Sequence, residues 1–201
     1  MSCPRRAASL IGGCLSLILP FLGAPAVGAE AGRWVPVPGK SQVGFEAKFP
    51  LGDFAGRGER LEGEIKLDPA DLRRSVAGIL RVDVLGLRTG LDGRDRDMRK
   101  TLEADRFPVI RFTVESVEAS FPSVTDKADV LLTIRGQMLI RDVERPLTFL
   151  GRARFRDGEL WVRGDATVKF TEFGMAPPKR LFVAVRDAVM VSFDLTLAPA
   201  R

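Results

Sequence analysis

The sequence contains no histidine and no tyrosine, and its two cysteines, Cys3 and Cys14, both lie close to the N-terminus. The absence of histidine excludes a Ser-His-Asp triad, His-ligated zinc or haem, and the side chain that ordinarily titrates near neutral pH. Beyond Cys14 there is no thiol for a disulfide, a thiolate metal site or a cysteine nucleophile. An enzyme would therefore depend on carboxylates or lysines of displaced pKa, and the apolar phases of the sequence contain no carboxylate pair. We expect no catalytic residues, no cofactor and no metal.

The first 29 residues have the pattern of a secretory signal peptide. Arg5-Arg6 forms a positive n-region, residues 7–24 are largely apolar, and small residues precede a cleavage position after Ala29. The unbroken apolar span of about 20 residues that a retained anchor needs is missing. We expect export with cleavage near Ala29, by the Sec or the twin-arginine route, which leaves residues 30–201 as one domain.

The charge balance is mildly basic. The formal net charge is +5, and loss of Arg5-Arg6 with the leader lowers it to +3. The remaining basic residues are spread along the polar phase of the chain instead of clustering with aromatic residues, so we expect no nucleic-acid partner. With no tyrosine and two tryptophans, the sequence also lacks the aromatic girdles of an outer-membrane barrel.

Side chains between residues 130 and 173 alternate between apolar and polar with a period of two, which is typical of strands with one buried and one wet face. Residues 141–144 and 156–158 have turn composition, and Asp157-Gly158 is a hairpin signal. We predict an antiparallel meander. Its apolar phase consists of Val130, Leu132, Ile134, Met138, Ile140, Leu147, Phe149, Ala153, Phe155, Leu160, Val162, Ala166, Val168 and Phe170.

The same alternation predicts strands elsewhere, so that the chain has about eight in total. The further strands are expected at 33–37, 42–49, 61–67, 76–87, 109–119 and 182–197. Pro36 suits an edge strand, and the glycine-rich residues 50–60 suggest a flexible or bulged connection. Such regularly spaced strands favour an all-β sandwich or barrel, and eight antiparallel strands can close around one small ligand.

Residues 89–107 break the alternation and predict one short helix. Met98 and Leu102 are four residues apart, as on one face of a helix that lies across an end or flank of the sheet. Before them, aspartates and arginines alternate over residues 92–97, without the glutamate and glycine positions of a calcium loop. We expect a network of Arg–Asp ion pairs at the start of the helix. Gating of a barrel mouth by Arg94-Asp95 is a further hypothesis.

Several short segments, taken in order, resemble one known family. They are Trp34, SQVGF at 41–45, FAG at 54–56, LDP at 67–69, TG at 89–90, RD at 94–95, FPVIRF at 107–112, IRDVERPLT at 140–148 and FTEFGM at 170–175. Their agreement across about 140 residues is similar to the YceI family of exported bacterial proteins. Where many members carry histidine, this sequence has Lys40 and residues such as Asp97 or Met98, so a role of those histidines in polar contacts does not carry over.

The resemblance implies an extended, eight-stranded, antiparallel, lipocalin-like barrel with one short helix. It also implies a periplasmic protein that binds or carries a long isoprenoid lipid, such as a polyprenyl-linked quinone, in an apolar lumen without catalysis. A transient contact with a membrane surface, through a basic loop at 177–180, and a monomeric or homodimeric state are compatible with it. The alternative is a non-catalytic, stress-related or interaction protein whose barrel is filled by its own side chains.

The inward phase supplies the expected ligand-binding residues. Glycines and alanines such as Ala47, Gly63 and Gly136 are interspersed in this phase and leave space, which favours a cavity over an ordinary packed core. The predicted lining is Phe45, Phe49, Phe54, Leu80, Val82, Phe112, Ile134, Phe149, Phe170, Phe173 and Phe193.

Overall fold

The computed structural model of the chain describes residues 31–74, 76–180 and 183–200. The predicted leader, residues 1–29, lies outside the described residues. The strands are β1 (Gly32–Pro36), β2 (Gln42–Ala47), β3 (Phe54–Gly58), β4 (Leu61–Leu67), β5 (Ala77–Asp83), β6 (Val109–Ala119), β7 (Val130–Ile140), β8 (Val143–Arg156), β9 (Glu159–Lys169), β10 (Lys179–Arg180), β11 (Val183–Ala184) and β12 (Ala188–Pro199). The α-helix α1 (Asp92–Thr101) and two short 3₁₀ helices (Val84–Gly86 and Thr171–Phe173) complete these ranges. None of the helices in this part of the chain is long and apolar enough to cross a membrane.

Eight strands close into an antiparallel barrel, as the resemblance implied. Their order is β1-β4-β5-β6-β7-β8-β9-β12, and β12 pairs back to β1. One edge of β12 pairs with β9 along almost its whole length. Its other edge is shared, because β2 pairs with it from Val189 to Asp194 and β1 pairs with it from Leu197 to Pro199. The strands β2 and β3 therefore extend the wall of the barrel beyond the point where β1 ends.

The strand β1 closes the barrel, so its prediction as an edge strand was wrong. It pairs with β4 from Gly32 to Trp34 and with β12 from Trp34 to Pro36. Pro36 lies beyond the last residue paired with β4, and therefore its missing N–H leaves no ladder bond unmade on that side. A local pattern of prolines does not reveal which strands, far away in sequence, will meet β1.

The predicted meander is confirmed as β7, β8 and β9, which pair in sequence order with continuous registers. The turn between β7 and β8 is tight, with Arg141 at a positive φ of 59°. In the turn between β8 and β9, Asp157 and Gly158 have φ values of 50° and 79°. Both turns have the left-handed backbone of two-residue hairpin connections, and they fix the register of the meander.

Three predicted boundaries were wrong. Residues 54–58, expected to belong to a flexible or bulged connection, form β3, which pairs with β2 and bridges to Arg88. The strand expected at 76–87 ends at Asp83, whose carboxylate accepts a hydrogen bond from the Leu85 N–H and caps a 3₁₀ turn. The last strand was expected at 182–197, but β12 begins only at Ala188. Residue 182 itself lies outside the described residues.

The two ends of the barrel differ. At one end, the connections between β4 and β5 and between β6 and β7 cross the opening and hydrogen-bond to each other. The Leu72 N–H donates to the Pro122 carbonyl at 2.6 Å, and the Val124 N–H donates to the Pro69 carbonyl at 2.8 Å. Leu72 and Val124 are both buried beneath this cover. At the opposite end lie α1, the connection between β2 and β3, and the β10–β11 hairpin.

Candidate functional site

A cavity of about 490 Å³ occupies the half of the barrel next to α1. Its volume falls within the range of about 300–1,000 Å³ that small-molecule sites usually have. Inward side chains of β2, β3, β5, β6, β7, β8, β9 and β12 form its wall, while α1, the β2–β3 connection and the β10–β11 hairpin surround its mouth. The strand alternation explains the lining, because every second residue of each strand points into the lumen.

The cavity lining is predominantly apolar. Its larger apolar members are Val43, Phe45, Phe49, Leu51, Phe54, Leu80, Val82, Leu87, Met98, Leu102, Ile110, Phe112, Met138, Ile140, Phe149, Val168, Phe170, Met175, Val185, Val189, Val191 and Phe193. The charged members are Arg94, Asp97 and Lys179. All three belong to α1 or the β10–β11 hairpin, so charge is confined to the mouth. Such a lining suits a guest with a long apolar body and a polar end.

Nine of the eleven predicted lining residues border this cavity, and two do not. The nine are Phe45, Phe49, Phe54, Leu80, Val82, Phe112, Phe149, Phe170 and Phe193. Ile134 lies deeper in the barrel, against a second and smaller void. Phe173 is buried in the 3₁₀ turn after β9 and borders neither space. Alternation reports the face on which a residue lies, but not its depth along the barrel axis or the point where a strand ends.

Three phenylalanines close the bottom of the cavity. The rings of Phe112 and Phe149 have centroids 5.1 Å apart and meet at 78°. The rings of Phe149 and Phe193 have centroids 5.2 Å apart and meet at 63°. These edge-to-face contacts are favourable aromatic geometry. We call Phe112, Phe149 and Phe193 the phenylalanine floor.

Some of the lining side chains that the prediction omitted lie on helix α1 or directly after its last residue. Met98 and Leu102, the pair spaced four apart, both face the cavity, and Thr101 joins them. Their spacing was the available signal, since it marked one face of a helix packed on the sheet. Leu51 gave no such signal, because it lies in a connection without periodicity. Val185 lies in the strand predicted at 182–197 and shares the phase of Val189, but the predicted lining omitted it.

The helix is fixed by Asp95, which is only 4% exposed. One of its carboxylate oxygens accepts hydrogen bonds from the Thr89 N–H at 2.7 Å and from the Thr89 Oγ1 hydroxyl at 2.6 Å. Burial alone would raise the pKa of Asp95, but these hydrogen bonds together with the positive charges of Arg88 and Arg99 outweigh it, and the pKa lies below its usual value. Asp95 therefore holds α1 in place as a carboxylate.

The expected Arg–Asp network was wrong. Within the described ranges, no aspartate of α1 forms an ion pair with an arginine of that helix. Arg94 instead places its guanidinium carbon 4.5 Å from the centroid of the Phe54 ring at the cavity mouth. A stacked guanidinium keeps its in-plane N–H donors free for an acceptor. Arg94 is thus a donor available to the polar end of a guest.

Two remaining features concern charged side chains. Lys40 forms an ion pair with Glu159 at 2.7 Å and does not border the cavity. Among residues 31–74, 76–180 and 183–200, no group of three or more carboxylates has the arrangement of a metal site.

Comparison with known proteins agrees with this architecture. A family model for the YceI-like domain matches residues 34–197. The chain belongs to the YceI family. The resemblance that the short segments suggested is therefore confirmed. A search among curated proteins gave no significant match for this YceI protein.

Solved structures of other proteins share the YceI fold. BcnA of Burkholderia cenocepacia is similar at 15% identity and a TM-score of 0.67, over 81% of this chain and 99% of BcnA. A polyisoprenoid-binding domain from Saccharophagus degradans, implicated in plant cell wall breakdown, has 15% identity and a TM-score of 0.65, over 85% of this chain and 99% of that domain. The YceI protein of Campylobacter jejuni has 15% identity and a TM-score of 0.55, over 73% of this chain and 84% of its own.

Proposed function

We propose that this YceI protein binds and carries a long isoprenoid lipid of the polyprenyl or isoprenoid quinone type, in the periplasm and without catalysis. The observation that carries the proposal is the cavity of about 490 Å³, apolar in its depth and charged only at its mouth. The name of the structurally similar Saccharophagus degradans domain, polyisoprenoid-binding, supports the same class of ligand. The signal-like pattern of residues 1–29 supports the proposed location.

The physics of the cavity favours the isoprenoid tail as the source of affinity. A tail that transfers about 300 Å² of apolar surface from water gains roughly 7.5 kcal/mol before the cost of ordering it. Taken alone, that gain sets an upper limit near micromolar affinity without any charged contact, and the cost of ordering the tail weakens binding from there. The head would lie at the mouth, where Arg94 offers hydrogen-bond donors. A barrel filled by its own side chains, the alternative, leaves the cavity unexplained.

The test is a titration of the delipidated protein, residues 30–201, with an isoprenoid quinone and with the corresponding quinone head that lacks a tail. We expect saturable binding of the first at micromolar or higher concentration and no binding of the second, because the tail supplies the affinity. The control variant Leu150→Ala alters an outward residue that is 63% exposed and should leave binding unchanged. Equal binding of head and tailed quinone would contradict the proposal.

We also propose that the cavity mouth faces the membrane during transfer. Leu51 borders the mouth and is 65% exposed, and Leu91, just before α1, is 54% exposed. Exposed leucines beside an entrance suit a brief contact with lipid. In Leu51→Ser we expect slower uptake of quinone from vesicles at an unchanged equilibrium affinity. An unchanged uptake rate would argue against this orientation.

A further inference from the structure

The phenylalanine floor separates two apolar spaces inside the barrel. Below the main cavity lies a void of about 60 Å³, lined entirely by apolar residues. Phe112 and Phe193 border both spaces, as does Leu80. Phe149 borders the main cavity and contacts both other rings of the floor. The two spaces are therefore parts of one channel that the rings divide.

The positions of two floor rings are built into the strands beside them. Gly164 lies directly opposite Phe193 in the β9–β12 pairing. A Cβ atom on Gly164 would come within 2.8 Å of the Phe193 Cζ atom, so a side chain there would push that ring away. A Cβ atom on Gly136 would come within 2.0 Å of the Thr113 carbonyl oxygen and within 2.9 Å of the Phe112 Cζ atom, so the backbone as well as the ring requires glycine there. The absence of a side chain at Gly164 lets the Phe193 ring lie across the channel.

The void below the floor ends at the crossed connections. Leu72, Val76 and Val124, which belong to these connections, border the void from below. No charged or polar side chain lines it, and 60 Å³ of dry apolar space contributes nothing to packing there. An apolar chain that extended into this void from the main cavity would make favourable contact with its lining.

We propose that the phenylalanine floor sets the longest isoprenoid tail that this barrel binds with full contact. The inference rests on the proposed function and adds the residues that determine tail length. Affinity rises with each isoprene unit until the tail reaches the rings of Phe112, Phe149 and Phe193. Further units stay outside the mouth and add little, because they remain in water.

The test compares binding of isoprenoid benzoquinones that share one head and differ only in their number of isoprene units. For the wild-type chain we expect affinity to rise along the series and then level off. Phe193→Ala joins the two spaces, so its plateau should begin at least one isoprene unit later. For the quinone with one isoprene unit more than the wild-type plateau, the affinity of Phe193→Ala should exceed that of the wild type by about tenfold.

Two further variants separate the length effect from a general loss of structure. Phe170→Ala widens the main cavity away from the floor, so it should change affinity for all tails without moving the plateau. Ala153 lines the void below the floor, and Phe193→Ala combined with Ala153→Leu should refill that space and restore the wild-type plateau. If the alanine variant does not fold, Phe193→Leu removes less volume and should move the plateau in the same direction.

The outcomes distinguish the two proposals. If the wild-type chain binds no member of the series, the proposed function fails. If the wild-type chain binds with a plateau that neither Phe193→Ala nor Phe193→Leu moves, the floor does not set tail length, although the barrel still carries isoprenoids. A plateau that Phe170→Ala moves as far as the floor variants would likewise overturn the inference.

Discussion

Replacement of Val191 by tryptophan should have opposite effects on folding and on binding. Val191 points into the barrel from β12, opposite Phe45 of β2 and Ala166 of β9. It borders the main cavity, and because of that space it is only half-buried although it faces inward. An indole at this position has a hollow to enter, so the change should fill space instead of displacing neighbours.

The magnitudes follow from the area involved. If the indole removes about 100 Å² of the wall from contact with an isoprenoid tail, binding weakens by roughly 2.5 kcal/mol, or about 60-fold in the dissociation constant. The same ring covers apolar wall that was open in the empty protein. Cavity-filling changes of this kind typically stabilise by about 0.5–2 kcal/mol, so the free energy of unfolding should stay equal or rise.

The assay pairs urea unfolding with quinone titration in the same buffer. The matched control is Met190→Trp, which places the same ring at the adjacent, outward position, where the wild-type side chain is 40% exposed. That variant should change neither measurement appreciably. If Val191→Trp instead lowered the free energy of unfolding by about 1–3 kcal/mol and left binding intact, the barrel interior would be overpacked and the reasoning refuted.

Three more predictions concern single side chains. Asp95→Asn should destabilise the protein at neutral pH and flatten its loss of stability in acid, measured by urea unfolding at several pH values. The pKa of Asp95 is lower in the folded than in the unfolded protein, so its carboxylate stabilises the fold above the unfolded-state pKa of about 3.9. That stabilisation is lost as the pH falls through the folded-state pKa. If the variant and the wild type lost stability in acid identically, this role of Asp95 would be contradicted. Gly164→Ala should cost about 1–3 kcal/mol, mainly by its clash with Phe193, and less in a Phe193→Ala background, where the Leu150 carbonyl oxygen at 3.1 Å remains the close neighbour. Additive costs in a double-mutant cycle would argue against the clash. Arg94→Gln should weaken binding of a polyprenyl phosphate more than that of the matching polyprenol, because the neutral head loses less from the removed charge, and equal losses would place the head elsewhere.

The sequence predicted those strands correctly in which apolar and polar residues alternate strongly. Alternating apolar residues gave β7, β8 and β9 because one face of each strand is buried and the other is wet. The strand β3 escaped because Gly56 and Gly58 carry no side chains to alternate. Its backbone is held instead by partners distant in sequence, with Arg57 and Arg88 exchanging two hydrogen bonds of 2.8 Å.

The sequence predicted which side chains point into the barrel, but not which internal space each of them borders. Alternation placed Phe112 and Phe193 inside, yet nothing local showed that both would border two separate spaces. Ile134 shares their face and lies below the floor, since depth depends on the register between strands. The helix start was misjudged for a related reason: Asp95 has arginine neighbours in sequence, but the fold brings Thr89 to its carboxylate.

The central claim is that the barrel is hollow and holds an isoprenoid lipid. The lipid content of the purified protein tests this claim most directly. The measurement is mass spectrometry of an organic-solvent extract of the protein, purified without denaturation from bacterial periplasm, beside an equal amount of Val191→Trp. The account predicts an isoprenoid species close to one molecule per wild-type chain and much less in the variant. A wild-type protein that yields no isoprenoid, and takes up none when an isoprenoid quinone is added, would contradict it.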